Sequence, residues 1–146
     1  MQDADQNLAT ALVAEILAVD QLTRSVLTKG LPKGMELSQF MTLNHLARAS
    51  AERTPAQLAD SFHVTRGAMT NTLSRLEAAG YVHIRPDWDD ARRKMVAISP
   101  AGLRARDDAL SKMSPAISSV VANLGADRTK LGISVLREIR ELMGEG

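Results

Sequence analysis

The chain has 146 residues, enough for one domain with a sizeable hydrophobic core, so we expect residues 1–146 to form a single domain. A formal net charge of +1 is too small to indicate nucleic-acid binding by itself, so any basic surface has to be local. The absence of cysteine excludes disulfides, thiol nucleophiles and thiolate metal ligands. Aromatic residues make up only 3%, so the core has to be aliphatic, which favours helices.

The N-terminal part of the sequence predicts two helices joined by a linker. Apolar residues at helical spacing predict a first helix over residues 5–28 and a second that ends near Ser50, with Gly and Pro in the linker 29–34 between them. The start of the chain is polar and acidic, unlike a signal peptide, and the apolar run 8–19 is far short of the roughly 20 residues of a membrane span. We therefore expect a cytoplasmic protein with no membrane partner.

Two threonines mark the starts of the next two helices. Thr54 suits an N-cap, with Pro55 at the first helical position and Gln57 where a capping box requires it. Thr65 can cap a fourth helix that ends at Gly80. The spacing therefore predicts a short helix, a tight turn and a longer helix.

After this pair of helices the apolar period changes from helical to two. Residues 81–85 and 95–98 alternate in polarity and predict a β-hairpin with a long polar loop over 86–94. Ser99 then suits the N-cap of a fifth helix, which Pro115 should kink or break, and Asp127 suits the N-cap of a last helix. We therefore predict a mainly α fold with a small β-hairpin wing, a winged helix-turn-helix flanked by N- and C-terminal dimerisation helices.

The second helix of a helix-turn-helix enters the major groove of DNA, and the fourth helix has a suitable face. If its apolar residues point to the core, the opposite face contains no acid and consists of small, hydroxyl, amide and guanidinium groups. Such groups pair with base edges and phosphates, whereas an ordinary solvated face usually carries Glu and Lys. The predicted DNA-binding residues of this helix are Thr65, Arg66, Gly67, Thr70, Asn71, Ser74 and Arg75.

The hairpin loop supplies a second group of basic residues. Arg92, Arg93 and Lys94 could reach phosphates or the minor groove, although a charge run alone is more often a solvated surface. The loop also contains three aspartates, which we interpret as structural, with an Asp90–Arg92 pair holding the loop in shape. Trp88 is unusual for an exposed loop.

Residues 58–70 (LADSFHVTRGAMT) and 76–82 (LEAAGYV) resemble the helix-turn-helix of MarR-type bacterial regulators. The wing and the start of the next helix match the spacing of that family at Asp87, Asp90, Arg92, Val96, Ile98, Ser99 and Gly102, and Gln39-Phe40 fits as well. The resemblance covers nearly the whole chain. Three positions depart from it: His63 replaces a frequent Gly, Ala91 replaces a frequent basic residue, and the absence of Cys excludes the thiol-based peroxide sensors.

The resemblance implies a homodimer that binds a pseudo-palindromic double-stranded DNA operator, usually as a repressor. Its DNA-binding lobe would be residues 36–100, and its dimerisation helices would be 1–30 and 115–146. The resemblance also implies release by a small, often aromatic ligand, whose binding residues are unknown. By position, Arg92 would enter the minor groove, with Asp90 orienting it.

Three alternatives compete with this interpretation. An enzyme would need a catalytic or metal motif, but His45, His63 and His83 are isolated from one another and no phosphate or dinucleotide loop is present. No cofactor, metal or catalytic residue is therefore expected. A winged helix can instead be a protein-interaction module without DNA binding. The apolar terminal helices could close a monomeric core, although a dimer accounts better for their surplus.

Overall fold

The computed structural model describes residues 1–144 as six helices and one antiparallel hairpin. The elements in chain order are α1 (Gln2–Gly30), α2 (Leu37–Ala49), α3 (Pro55–Ser61), α4 (Arg66–Ala78), β1 (Val82–Pro86), β2 (Lys94–Ile98), α5 (Pro100–Leu124) and α6 (Ala126–Gly144). This order confirms the predicted fold class. Residues 1–112 and the residues from 113 onward form two compact units, so the single domain stays a prediction. Residues 145–146, which end the predicted segment 115–146, lie outside the described residues.

Side-chain caps fix where α3 and α4 begin. Thr54 accepts a hydrogen bond from the backbone of Gln57 at 3.1 Å, and the Gln57 side chain accepts from the Thr54 backbone at 2.9 Å, which confirms the predicted capping box. Thr65 caps α4 by accepting from the backbone N–H of Ala68 at 3.1 Å. Between the two helices His63 has φ of +52°, a left-handed conformation that is uncommon outside glycine. The turn therefore keeps its shape with His63 in the position where the resembled family often has Gly.

The hairpin has the predicted alternation. Val82 is paired with Ile98 and Pro86 with Lys94. In this register the apolar residues of the two strands lie on one face of the hairpin, which is directed at the core. Val82 and Val96 are 1% and 0% exposed, while Ile84 and Ile98 are half-buried. Arg53 extends the pairing beyond β2, because its backbone exchanges hydrogen bonds with Val96 at 3.0 and 2.7 Å. The segment before α3 is thereby attached to the wing.

One aliphatic cluster joins α2, α3, α4 and the hairpin. Its buried members are Leu43, Leu46, Leu58, Ala59, Met69, Leu73, Leu76, Val82 and Val96. Full burial of an aliphatic side chain of this size contributes about 1.5–3 kcal/mol, so the cluster fixes α4 firmly against the rest of the lobe. The face of α4 opposite to the cluster is thereby directed at solvent.

A close backbone contact joins the end of α4 to the start of α5. The Ser99 hydroxyl donates to the carbonyl of Gly80 at 2.6 Å and accepts from the backbone N–H of Gly102 at 3.0 Å, which confirms the predicted cap. The Ser99 backbone N–H donates to the carbonyl of Tyr81 at 2.9 Å. A Cβ at Gly102 would lie only 2.1 Å from that carbonyl oxygen, so the packing requires glycine here.

The terminal helices expose their apolar residues. α1 and α6 contain no buried residue, although each has many aliphatic side chains. The exposed ones include Leu8, Leu12, Val19, Leu22, Leu131, Val135, Leu136 and Leu142. Within residues 1–144, no helix is both long and apolar enough to cross a membrane.

The structure answers two questions about the C-terminal helices: whether Pro115 breaks α5, and where α6 begins. α5 continues through Pro115, so this proline does not break the helix. α6 begins at Ala126, so Asp127 lies inside its first turn, and the prediction that Asp127 is the N-cap is wrong. Gly125, with φ of +86°, turns the chain between the two helices. Its carbonyl accepts a hydrogen bond from the Thr129 backbone at 3.1 Å, so this single residue connects α5 to α6.

Candidate nucleic-acid interface

The outer face of α4 is exposed along its whole length. With 3.6 residues per turn, the direction opposite to Met69, Leu73 and Leu76 is occupied by small and polar side chains. The residues closest to that direction are Gly67, Asn71, Ser74 and Ala78, and all of them are exposed. Thr70 lies at the edge toward the hairpin, where it lines a groove together with Ser74, Arg85 and Lys94. This arrangement leaves space beside α4 and supplies an amide and hydroxyls for hydrogen bonds.

The N-terminus of α4 adds backbone donors and a cation to this face. Thr65 and Arg66 are both exposed, and the first turn of the helix contains no acid. The unpaired N–H groups and positive dipole end of a helix favour a phosphate at such a position. The start of α4 therefore offers a position for an anion beside the hydrogen-bonding groups of its outer face.

Arg75 is engaged within the protein. Its Nη1 donates to Oε1 of Glu36 at 2.6 Å, and the arginine side chain is 49% exposed. Glu36 is also the N-cap of α2 and forms a capping box with Gln39. The sequence prediction treated Arg75 as a base-contacting residue and gave no sign of this partner. Arg75 can reach DNA only by releasing or sharing Glu36.

Asp90 and Arg92 form the pair at the tip of the wing. Asp90 Oδ1 accepts from both the backbone N–H and Nε of Arg92, each at 3.1 Å, while the Arg92 side chain is 91% exposed. The side-chain hydrogen bond from Arg92, followed by its backbone hydrogen bond, lowers the pKa of Asp90 below its ordinary value. The wing therefore presents an outward guanidinium that a carboxylate orients.

The other wing cations differ in how they are held. Arg93 donates to Asp87 at 2.8 Å and stays 60% exposed. The pKa of Asp87 is lowered, first by the hydrogen bond from the Asp89 backbone and then by Arg93. Lys94 is exposed at the start of β2. The structure thus brings the predicted residues Arg92, Arg93 and Lys94 to one hairpin beside α4.

Sequence reasoning missed how Arg85 is held at the base of the wing. Arg85 donates from Nε and Nη2 to the two carboxylate oxygens of Glu52, the first of these bonds measuring 3.0 Å. Its guanidinium carbon also lies 3.8 Å from the ring centroid of Trp88. Glu52 is 33 residues away in sequence, so no local pattern could have indicated the pair.

The rest of the described chain was compared with three other kinds of site: a metal site, a catalytic histidine and a small-molecule cavity. Residues 1–144 contain no group of three His, Cys, Asp or Glu side chains that could hold a metal. His45 is half-buried and makes an edge-on contact with Phe62, with ring centroids 5.4 Å apart, as expected for a packed histidine. A cavity of about 310 Å³ lies where α1 meets α2 and α4, and its lining includes Arg24, Glu36 and Asn71.

Comparison with known proteins relates this chain to the MarR family. The MarR family sequence model matches residues 33–93, while no curated protein sequence matches. Among solved structures, a mutant MarR from E. coli complexed with operator DNA is 26% identical, with 91% of this chain and 96% of that chain covered and a TM-score of 0.78.

Two further solved structures share the fold. A MarR-family regulator from Rhodococcus sp. RHA1 is 19% identical, with coverage of 90% and 94% and a TM-score of 0.80. The regulator BldR from Sulfolobus solfataricus is 22% identical, with coverage of 97% and 99% and a TM-score of 0.75. The family match over residues 33–93 and the shared fold identify a winged-helix lobe of the MarR type, and MarR-family transcriptional regulators are DNA-binding proteins and not enzymes.

Proposed function

We propose that this chain is a homodimeric repressor that binds a pseudo-palindromic operator in double-stranded DNA. The observation that carries the proposal is the exposed, acid-poor face of α4 beside a wing whose Arg92 is 91% exposed. In this proposal Thr65, Arg66, Gly67, Thr70, Asn71, Ser74 and Arg75 face the major groove, and Arg92, Arg93 and Lys94 contact the backbone or minor groove. A DNA-binding regulator acts where its DNA is, which supports the predicted cytoplasmic location.

Within α4, Asn71 and Ser74 are the strongest candidates for base contacts. Both lie opposite to the core-facing residues, and neither is held by another side chain across the lobe. Asn pairs bidentately with adenine, and each good base contact contributes about 1–3 kcal/mol of discrimination. Arg75 contributes less to base contacts than its chemistry suggests, because it also binds Glu36.

The dimer is proposed from the exposed apolar faces of α1 and α6. Large exposed apolar surfaces on a soluble protein mark interaction sites, and symmetric pairs are the commonest assembly. We assign residues 1–30 and 115–146 to the dimer interface and residues 36–100 to the DNA-binding lobe. Two copies would place two α4 helices in successive major grooves, with half-sites about one helical turn apart.

Effector control is proposed at the cavity between α1, α2 and α4. Its volume of about 310 Å³ falls within the range of small-molecule sites, and Met41, Phe62 and Val64 supply apolar lining. Asn71, at the outer face of α4, and Glu36, which binds Arg75, line the same cavity. A ligand here would change DNA affinity only if it binds one arrangement of α4 better than another.

The experiment that tests this function is selection of duplexes from a random DNA pool, followed by anisotropy titrations over a salt series. We expect a two-fold symmetric consensus and an affinity that falls steeply with salt. Asn71→Ala and Ser74→Ala should change the preferred bases. Arg92→Ala should weaken binding to all duplexes and make the salt slope less steep by about one, because the variant neutralises one fewer phosphate.

Arg48 supplies the matched control, because it is exposed on α2 and belongs to neither the α4 face nor the wing. Arg48→Ala removes the same charge and should leave the salt slope unchanged. Binding to no duplex, even at low salt, would favour a protein-interaction module instead. An equal effect of Arg48→Ala and Arg92→Ala would refute the assignment of the wing.

A further inference from the structure

Trp88 is the single tryptophan of the sequence, and it stands on the wing with 85% of its surface exposed. A tryptophan has a large apolar surface, and leaving it in water gains nothing for the fold of the free chain. Isolated exposed apolar residues are common, but this one lies on the element that carries the outward Arg92. Its position therefore bears on what the wing contacts.

The loop geometry places Trp88 across from Arg92. The hairpin pairs Pro86 with Lys94, and the Asp87 backbone N–H continues the ladder by donating to the carbonyl of Arg93 at 2.9 Å. In that register the next opposed positions are Trp88 and Arg92, with Asp90 at the apex. Both side chains thus belong to the same tip of the hairpin.

One face of the indole is covered, and the cover is itself fixed. The Arg85 guanidinium lies over the ring at 3.8 Å from the centroid, close enough for a cation–π contact. Glu52 binds two nitrogens of that guanidinium, and the Pro86 carbonyl accepts from the third at 2.9 Å. Arg85 is therefore a rigid support behind Trp88, with its charge already paired, and the opposite indole face remains open.

We propose that Trp88 is a DNA-contacting residue of the wing, whose open indole face packs on the deoxyribose backbone beside the groove that Arg92 enters, and that Arg85 and Glu52 position it. This inference rests on the proposed function. Aromatic side chains pack on nucleic acid without sequence preference, so Trp88 supplies affinity rather than base discrimination. The indole N–H remains available to donate to a phosphate oxygen.

Charge on the wing favours DNA over an apolar protein partner as the occupant. Arg92 and Arg93 are 91% and 60% exposed on the same loop, and Lys94 is exposed at its end. Three cations beside one aromatic ring suit the DNA backbone, in which charged phosphates alternate with deoxyribose rings. Asp90 and Asp87 pair with Arg92 and Arg93 but leave both side chains largely exposed, so an apolar protein surface would bury these cations without offering them a further hydrogen-bond acceptor.

The test uses the fluorescence of Trp88, which is site-specific because the sequence has no second tryptophan. The full-length protein is titrated with a fluorescein-labelled mixed-sequence duplex at low salt, and anisotropy reports binding independently. Acrylamide is the quencher, because a neutral molecule is not repelled by DNA as iodide is. We expect the quenching constant of Trp88 to fall as the duplex binds and to recover when salt dissociates the complex.

Variants separate an apolar contact from a charge contact. Trp88→Ala should weaken binding by about fivefold or more and leave the salt slope unchanged. Fivefold is about the smallest loss of affinity expected when an aromatic side chain that stacks on nucleic acid is removed. Trp88→Phe should restore much of that affinity. Arg92→Ala should instead make the slope less steep. Because Trp88 is exposed, Trp88→Ala should retain the far-UV circular dichroism and unfolding midpoint of the parent protein.

The positioning role is tested by Arg85→Lys, which keeps the charge but removes the planar fork that binds Glu52. This variant should raise the quenching of Trp88 in the free protein. In a double-mutant cycle on DNA affinity, its effect should largely disappear in the Trp88→Ala background. Additive effects would show that Arg85 acts independently of Trp88 and would overturn its positioning role.

The outcomes distinguish this inference from the proposed function. If the duplex binds while Trp88 stays fully quenchable, or if Trp88→Ala binds as tightly as the parent protein, the Trp88 contact is overturned and the proposed function stands. If no duplex binds at low salt, both are overturned. Protection of Trp88 together with weaker binding at an unchanged salt slope supports the contact.

Discussion

Replacing Gly102 with alanine tests the junction that positions α4 and the wing. The added Cβ would lie 2.1 Å from the Tyr81 carbonyl oxygen, about 1.3 Å inside the 3.4 Å at which ordinary contact begins. That oxygen also accepts the Ser99 backbone hydrogen bond, so it cannot turn away without losing a partner. Overpacking costs about 1–3 kcal/mol and a buried unsatisfied donor about 1–3 kcal/mol, against a gain of up to about 1 kcal/mol for Ala over Gly in a helix. We expect a net loss of about 1–6 kcal/mol in the free energy of unfolding.

The assay is urea denaturation followed by far-UV circular dichroism at one fixed protein concentration, because a dimer makes stability concentration-dependent. Gly67→Ala is the matched control: Gly67 lies in the first turn of α4, and a Cβ there would meet nothing within 4 Å. It should leave the free energy of unfolding unchanged or raise it by up to about 1 kcal/mol. If Gly102→Ala changed stability by less than about 0.5 kcal/mol, the ordinary range for surface substitutions, the steric argument would be wrong.

Three further predictions concern the dimer and the wing. Val19→Asp, on the exposed apolar stripe of α1, should shift the sedimentation of the protein toward the monomer. The control Gln21→Asp lies about 200° round the same helix and should not. If both variants sedimented alike, α1 would not be part of the dimer interface. Asp89→Asn should strengthen binding to any duplex about twofold or more at low salt, because it removes an exposed acid beside phosphates, and unchanged affinity would argue against wing contact. NMR titration should give Asp90 a pKa below 3.8 that rises toward it in Arg92→Ala, because the Arg92 hydrogen bonds favour the carboxylate. The stability this carboxylate contributes is present above its unfolded pKa and is lost as pH falls through the lower folded pKa, so a wing that orders equally well below that pH would refute the pairing.

The secondary structure of the lobe was predictable from the sequence because its signals are local. Thr54 and Thr65 cap the helices that follow them, since a hydroxyl can reach only backbone N–H groups two or three residues ahead. The hairpin followed from strict alternation, which buries Val82 and Val96 on one face. Where the signal was ambiguous, the prediction was wrong: Asp127 is a good N-cap residue, but Gly125 already turns the chain and α6 begins at Ala126, which places Asp127 inside the helix.

The candidate site was predictable as a set of residues but not as a network. The α4 face and the wing cations came from helical spacing and charge, both of which the sequence shows directly. The partners of Arg75 and Arg85 lie 39 and 33 residues away and depend on how α2 and its following loop pack against the lobe. No periodicity contains that information. Arg85 in particular is paired with Glu52, and its guanidinium lies over the Trp88 ring.

The pairing of Arg92 with Asp90 shows why a net charge of +1 is compatible with DNA binding. Asp90 accepts from Nε of Arg92 at 3.1 Å and more weakly from Nη2 at 3.4 Å. A guanidinium has five N–H donors in a fixed plane, so at least three remain directed outward at the tip of the wing. The carboxylate cancels much of the long-range charge, but it fixes the plane in which those donors point. In the proposed function, binding at the wing depends on oriented donors at short range, which composition does not report and which Lys at this position could not reproduce.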